Sequence, residues 1–203
     1  MITNTTKVSS YITYPNVYWD NFFTDIELDS IEKYCAEVSE LETGKVYDNT
    51  SSGQTDSKVR KSQVKFIEKQ TNNIWIFDKI NIITEHINNH FYNYDLVGYD
   101  FLQYTEYNKK GDFYGFHTDM IFGDKVELGM VVPRKLSFSL ILSDSSTYNG
   151  GDFEIDTGGP IHIAEQKRGR ILAFPSFVKH QVTPIKKGVR KSIVWWALGP
   201  KFK

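Results

Sequence analysis

Leu136-Ser137-Phe138-Ser139-Leu140-Ile141-Leu142 sets small hydroxyl residues between bulky apolar ones. It is followed by Tyr148-Asn149-Gly150-Gly151 and then by Asp152-Phe153-Glu154-Ile155. A period of two is the pattern of a strand with distinct faces, and Asn-Gly and Gly-Gly pairs supply the positive-φ positions of tight turns. Asp156-Thr157-Gly158-Gly159-Pro160 marks a further turn, and 171–175, 177–182 and 189–198 read as more strands. Many short strands with Gly-rich turns from Tyr99 onward predict a β-sandwich or jelly roll.

Upstream the period changes. Thr24-Asp25-Ile26-Glu27 has the form of a helix capping box, and Leu28, Ile31, Tyr34, Cys35 and Val38 then share one helical face, with Cys35 a core residue. A second helix is predicted over 73–91, with Ile76, Ile80, Ile83 and Ile87 on one side. Between the helices, 43–57 is rich in Thr, Ser, Gly, Asn and Asp and reads as a long mobile loop, of a length usually functional or disordered. The basic run Lys58, Arg60, Lys61, Lys65, Lys69 alternates with apolar residues and reads mostly as a solvated strand face. The expected class is α+β: a double-stranded β-helix core over about 99–200, with N-terminal helices packed on one sheet, in one domain of residues 1–203.

Composition narrows the function. The chain has 203 residues, 40% hydrophobic and 15% aromatic, enough for one substantial core. A net charge of −1 gives no general attraction to nucleic acid or anionic membrane. Cys35 is the sole cysteine, so an intrachain disulfide is excluded. Residues 1–10 are polar, unlike a signal peptide, and no apolar run reaches membrane-spanning length. The expectation is a soluble cytoplasmic protein.

Chemistry concentrates in Tyr114-Gly115-Phe116-His117-Thr118-Asp119. On one strand His117 and Asp119 face the same way and can grip a metal ion together. His180 from another strand would complete a two-His-one-carboxylate triad, a donor set that suits Fe(II) and leaves positions open for substrate and oxygen. The turn 183–188, with Pro184 and Gly188, predicts a hairpin about residue 185 that sets His180 opposite Arg190 inside the barrel. Arg190 offers a planar fork for a carboxylate, and Ser192 adds a hydroxyl on the same side. His86 and His90 lack the order of a zinc protease motif and read as a solvated helix face, and His162 as an outward strand residue.

In combination these residues resemble a 2-oxoglutarate- and Fe(II)-dependent dioxygenase of the prolyl 4-hydroxylase type, including the bacterial PKHD-type hydroxylases. The resemblance spans roughly 60–200. It rests on Leu102-Gln103 with Tyr107, on 114–119, on 136–143, on 148–153, on Gly169 with Phe174-Pro175, and on His180 with Val182 and Pro184 leading to Gly188, Arg190 and Ser192. It implies iron held by His117, Asp119 and His180, and 2-oxoglutarate held by Arg190, where several prolyl hydroxylases carry Lys, with help from Tyr107. It further implies Tyr114, Arg60 and Trp196 on the substrate side, Trp195 being read as core. A protein or peptide substrate, oxygen as co-substrate, succinate and carbon dioxide as products and ascorbate as reductant follow from it, as do lids formed by 43–57 and 120–134. The alternatives are a nucleobase, a free amino acid or another small molecule as substrate, or a non-catalytic jelly-roll module. The first is disfavoured because Trp196 and Leu198 stand where nucleic-acid oxygenases place a second Arg. A cupin would show a His-x-His cluster, which the sequence lacks.

Overall fold

The computed structural model describes residues 14–38, 40–46, 55–99, 101–120 and 132–200. The readings made for 1–10 and for most of the two lid segments lie outside the described residues. In chain order the elements begin β1 (Val17–Trp19), α1 (Asp25–Glu37), β2 (Glu42–Thr43), β3 (Arg60–Lys61), β4 (Gln63–Ile67) and α2 (Ile74–Ile87). There follow β5 (Gly98–Tyr99), β6 (Leu102–Tyr107), β7 (Phe113–His117), β8 (Arg134–Ile141), β9 (Asn149–Gly150) and β10 (Phe153–Asp156). The last are β11 (His162–Ala164), β12 (Ile171–Pro175), β13 (Lys179–Val182), β14 (Ile185–Lys187) and β15 (Arg190–Leu198).

The major sheet runs β1-β12-β8-β15-β6-β4-β2, with β5 also on β15, and the minor sheet runs β11-β10-β13-β7-β3. Every described pairing is antiparallel. Strands from both sides of residue 98 share each sheet. The architecture is the expected one, a double-stranded β-helix buttressed by helices.

Alternation gives the major sheet two unlike faces. Leu102, Tyr104, Leu136, Phe138, Leu140, Ile193 and Trp195 pack in one cluster with Leu28, Ile31 and Cys35 of α1 and the isoleucines of α2. Trp195 is fully buried there, stacked on Phe138 at 4.8 Å, and its Nε1 donates to Thr84 Oγ1 at 2.9 Å. The opposite face meets the minor sheet in a smaller cluster that includes Tyr107, Ile141, Phe153, Phe174 and Val182.

Both helices follow from their sequences. Thr24 Oγ1 accepts from the Glu27 amide while Glu27 Oε2 accepts from the Thr24 amide, completing the capping box. The second helix passes from α2 into a π-helical turn, Asn88–Tyr92, and stops at Asn93, whose φ of 52° an Asn tolerates. His90 is exposed, whereas His86 is half-buried with its ring against Trp19 at 4.5 Å, so only part of that pair is solvated. His162 is exposed.

The basic run is mostly solvated, as expected, with two exceptions. Lys58, Lys61 and Lys69 are solvated, but Lys65 and Arg60 are buried, at 6% and 7% exposure. Lys65 Nζ donates to the Cys35 and Ala36 carbonyls at 2.7 and 3.2 Å, satisfying acceptors that the end of α1 leaves open. Lys65→Met is therefore expected to lower stability by about 1–3 kcal/mol, read as a lower urea midpoint at unchanged m-value. An unshifted midpoint would refute the capping role.

The hairpin about residue 185 does not form. β13 pairs with β10 and β7 in the minor sheet, whereas β15 pairs with β6 and β8 in the major sheet. Between them β14 leaves to pair with β9. The chain crosses from one sheet to the other at Gly188, whose φ is 78° and where a Cβ would collide with the Thr147 carbonyl and Tyr148. His180 and Arg190 thus face one interior from opposite sheets.

Candidate active site

The minor sheet brings the two histidines together. His180 on β13 lies directly across from His117 on β7, beside a register shift before Val182. β7 ends at His117, so strand alternation does not orient Asp119. The next residues bend inward instead, the amides of Asp119 and Met120 both donating to the Ser176 carbonyl at 2.9 Å. Potential ligand atoms of His117, Asp119 and His180 all lie within 4.8 Å of one another.

The proton inventory suits a cation. Nδ1 of His117 is 2.8 Å from the Gly115 carbonyl and Nδ1 of His180 is 2.9 Å from the Val178 carbonyl. A carbonyl only accepts, so each Nδ1 carries the hydrogen and each Nε2 turns its lone pair to the centre. Asp119 Oδ1 is 3.6 Å from His117 Nε2, and its Oδ2 is 3.5 Å from His180 Nε2. Burial pushes the His180 imidazole down to about 4, against a smaller opposing pull from Asp119. Burial alone would raise the Asp119 carboxyl, but His180, His117 and Arg134 outweigh it and hold the group well below the usual carboxylate range. Two imidazole nitrogens and one carboxylate, with no fourth protein ligand among the described residues, fit an iron(II) ion that keeps open positions.

The His180 shift has a consequence for the metal-free protein. Unfolded His titrates near 6.5 and the folded group near 4, so between these values only the unfolded chain takes the proton. This contribution to stability is intact above pH 6.5 and is expected to fall by roughly 3 kcal/mol as pH drops to about 4. Urea midpoints at pH 7 and 4.5 should show the slope, and His180→Gln should flatten it. An equal slope in that variant would exclude His180 as its source.

A second polar centre faces the triad from the major sheet. Arg190 is 1% exposed, opposite Tyr107 in register and 5.7 Å from that ring. Its Nε and Nη2 donate to Gln166 Oε1 at 3.3 and 3.1 Å, and its Nη1 to Ser192 Oγ at 3.4 Å. Both acceptors are neutral, and no carboxylate among the described residues pairs with it. The buried Tyr148 hydroxyl, near Arg190, also has no hydrogen-bond partner among the described residues. A buried guanidinium without a counter-charge fits an anionic ligand such as the distal carboxylate of 2-oxoglutarate.

The same cavity holds the remaining expected residues. Tyr114 stacks on His117 at 3.5 Å, and the Arg60 guanidinium lies over Tyr114 at 4.6 Å. Trp196 lines the cavity on the side alternation predicts, beneath Arg134 at 3.9 Å. Sequence reasoning missed Gln166, Arg134, Phe101 and Lys45, because each arrives from a different segment with no spacing to the motif.

Residues 102–198 match the family model described as the 2OG-Fe(II) oxygenase superfamily. Among curated relatives, the chain is 33% identical over 94 residues to a PKHD-type hydroxylase of Teredinibacter turnerae, covering 43% of this chain and 38% of the relative. It is 41% identical over 61 residues to a PKHD-type hydroxylase of Synechococcus, covering 30% and 28%. The matches thus span well under half the length of these relatives. Among solved structures, a Pseudomonas putida prolyl-4-hydroxylase superposes with TM-score 0.71 at 19% identity, covering 96% of this chain and 97% of that one. A Trichoplax adhaerens prolyl hydroxylase in complex with a hypoxia inducible factor peptide fragment superposes with TM-score 0.70 at 18% identity, covering 94% and 86%. At such identities the likeness concerns the fold. No described helix of the chain is long and apolar enough to cross a membrane.

Proposed function

We propose that this protein is an Fe(II)- and 2-oxoglutarate-dependent dioxygenase that hydroxylates a prolyl residue in a protein or peptide. The observation that carries the reading is the His117, Asp119, His180 cluster sharing one cavity with a buried Arg190 that has no carboxylate partner among the described residues. Bound iron with 2-oxoglutarate and oxygen supplies the hydroxylating chemistry, 2-oxoglutarate leaving as succinate and carbon dioxide.

The chain's own residues bind, orient and exclude water. His117, Asp119 and His180 are the metal ligands, their imidazoles fixed by the Gly115 and Val178 carbonyls. Arg190 and Ser192 hold the distal carboxylate of the co-substrate, with Tyr107 packed beside it. Tyr114, Arg60 and Trp196 form the substrate side. Phe153, Phe174 and Val182 give the cavity apolar walls, which limits water at the reacting carbon. No side chain is asked to donate or remove a proton from that carbon. Ascorbate is the proposed reductant, and a cytoplasmic location accords with a lone, buried Cys35. The prolyl part of the reading is supported by the names of the Pseudomonas putida and Trichoplax structures, and the peptide part by that of the Trichoplax complex.

The test is twofold. Protein loaded anaerobically with Fe(II) and given oxygen should convert 2-oxoglutarate to succinate. Host proteomes with and without the protein should differ by single-oxygen mass shifts on proline. Shifts confined to another residue type would remove the prolyl assignment and leave the oxygenase standing. Absence of 2-oxoglutarate binding and turnover would remove both.

A further inference from the structure

We propose that Tyr114 is a positioning residue for the metal site, its ring holding the His117 imidazole at the angle from which Nε2 meets the ion. The inference rests on the metal-site reading above. It gives Tyr114 a role toward His117 that is separate from its place on the substrate side.

A regular strand would keep these two residues apart. Tyr114 and His117 stand three positions apart on β7, an odd spacing that alternation sends to opposite faces. The pairing with β13 departs from that rule. His180 lies opposite His117 and Val182 opposite Tyr114, so three residues' advance on β7 matches two on β13. The extra residue makes a β-bulge, an irregularity that re-aims side chains. Both rings consequently meet, their centroids 3.5 Å apart and their planes 14° from parallel. The same bulged segment presents the Gly115 carbonyl to His117 Nδ1 at 2.8 Å, while the Gly115 amide donates to the Val59 carbonyl at 2.8 Å.

The hydrogen bond at Nδ1 does not by itself fix the imidazole. It selects the tautomer, but its angular tolerance is broad and the last torsion of a His side chain is soft. The ring plane is set by what lies against it. His180 is buried between Phe153 at 5.4 Å and Phe174 at 4.6 Å, both part of the core between the sheets. The described aromatic neighbours of His117 are Tyr114 and the tilted His180 ring at 4.2 Å. Tyr114 is braced in turn. Arg60 lies directly across from it in the β3–β7 pairing, with its guanidinium over the Tyr114 ring at 4.6 Å. Arg60 is itself held by Ser62 Oγ at 2.7 Å and the Lys45 carbonyl at 3.0 Å. A column of planar groups thus ends on a metal ligand. A ligand ordered before the ion arrives costs less to order on binding, and an aromatic stack contributes the equivalent of about two- to tenfold in affinity.

The test titrates Mn(II) by calorimetry into wild type, Tyr114→Leu and Tyr114→Phe, without 2-oxoglutarate or substrate. Tyr114→Leu is expected to bind Mn(II) about fivefold more weakly. Tyr114→Phe should stay within about twofold of wild type, because the ring and not the hydroxyl meets His117. With Co(II) in place of Mn(II), the visible bands of Tyr114→Phe should overlay those of wild type, and those of Tyr114→Leu should shift or broaden. Tyr114→Met fills the space without a ring and carries the same test if Tyr114→Leu does not fold. Wild-type Mn(II) affinity in the ringless variant overturns the inference and leaves the metal site standing. An equal loss in Tyr114→Phe also overturns it, since the hydroxyl would then be responsible. Unchanged Co(II) bands in the ringless variant overturn it as well, because the ligand geometry would be untouched. Failure of wild-type protein to bind either ion is a different result and removes the metal-site reading itself.

Discussion

Gln166→Glu is expected to weaken 2-oxoglutarate binding about a hundredfold or more, roughly 3 kcal/mol, in a protein that still folds. Gln166 Oε1 already accepts from two nitrogens of Arg190, so the variant places a carboxylate where a bidentate pair forms without backbone movement. A buried guanidinium neutralised from within has little to offer an external dianion, and the added negative charge repels it as well. Gln166→Leu removes the hydrogen bonds without adding charge and is expected to lose only about tenfold. Calorimetric titration of 2-oxoglutarate into the Mn(II) protein separates the cases. A Gln166→Glu affinity within threefold of wild type would show that Arg190 is not the anion anchor.

Asp119→Ala is expected to abolish turnover and the stabilisation that metal gives. Removing the one carboxylate of the cluster leaves two neutral imidazoles for a divalent ion, and a loss of at least about a hundredfold in affinity is expected. With Mn(II) at a hundred times its dissociation constant, wild-type protein gains about 2.7 kcal/mol of stability. The variant at the same concentration should melt where its metal-free form does. A metal-dependent shift of the wild-type size in Asp119→Ala would displace Asp119 from the ligand set.

How much of this was legible in the sequence depends on the range of the interaction concerned. Local patterns read correctly: the capping box at Thr24, the isoleucine stripe of α2 and the alternation of β8 each depend on neighbours within a few residues. Chemistry-bearing residue types at fixed short spacing, His117 with Asp119 and Arg190 with Ser192, also pointed to one cavity. The hairpin failed because adjacency in sequence favours pairing, whereas this topology sends β13 and β15 to different sheets. Lys65 is an exception in its run that the pattern could not single out, because alternation gives the side a residue faces, not what waits there, and here helix-end carbonyls wait. Gln166 carries no local signal, since its contact with Arg190 exists only after distant strands have paired.

The two unlike faces of the major sheet bear on how β15 tolerates change. Arg190, Ser192, Val194 and Trp196 line the cavity, while Ile193, Trp195 and Ala197 sit in the helix-facing core and Lys191 reaches Glu32 of α1 at 3.2 Å. Saturation mutagenesis of this strand, scored once for cellular abundance and once for turnover, should yield two interleaved records. Odd positions should deplete the abundance score, and even positions should deplete turnover among molecules that remain abundant. One nine-residue strand would then divide its tolerance residue by residue between folding and chemistry.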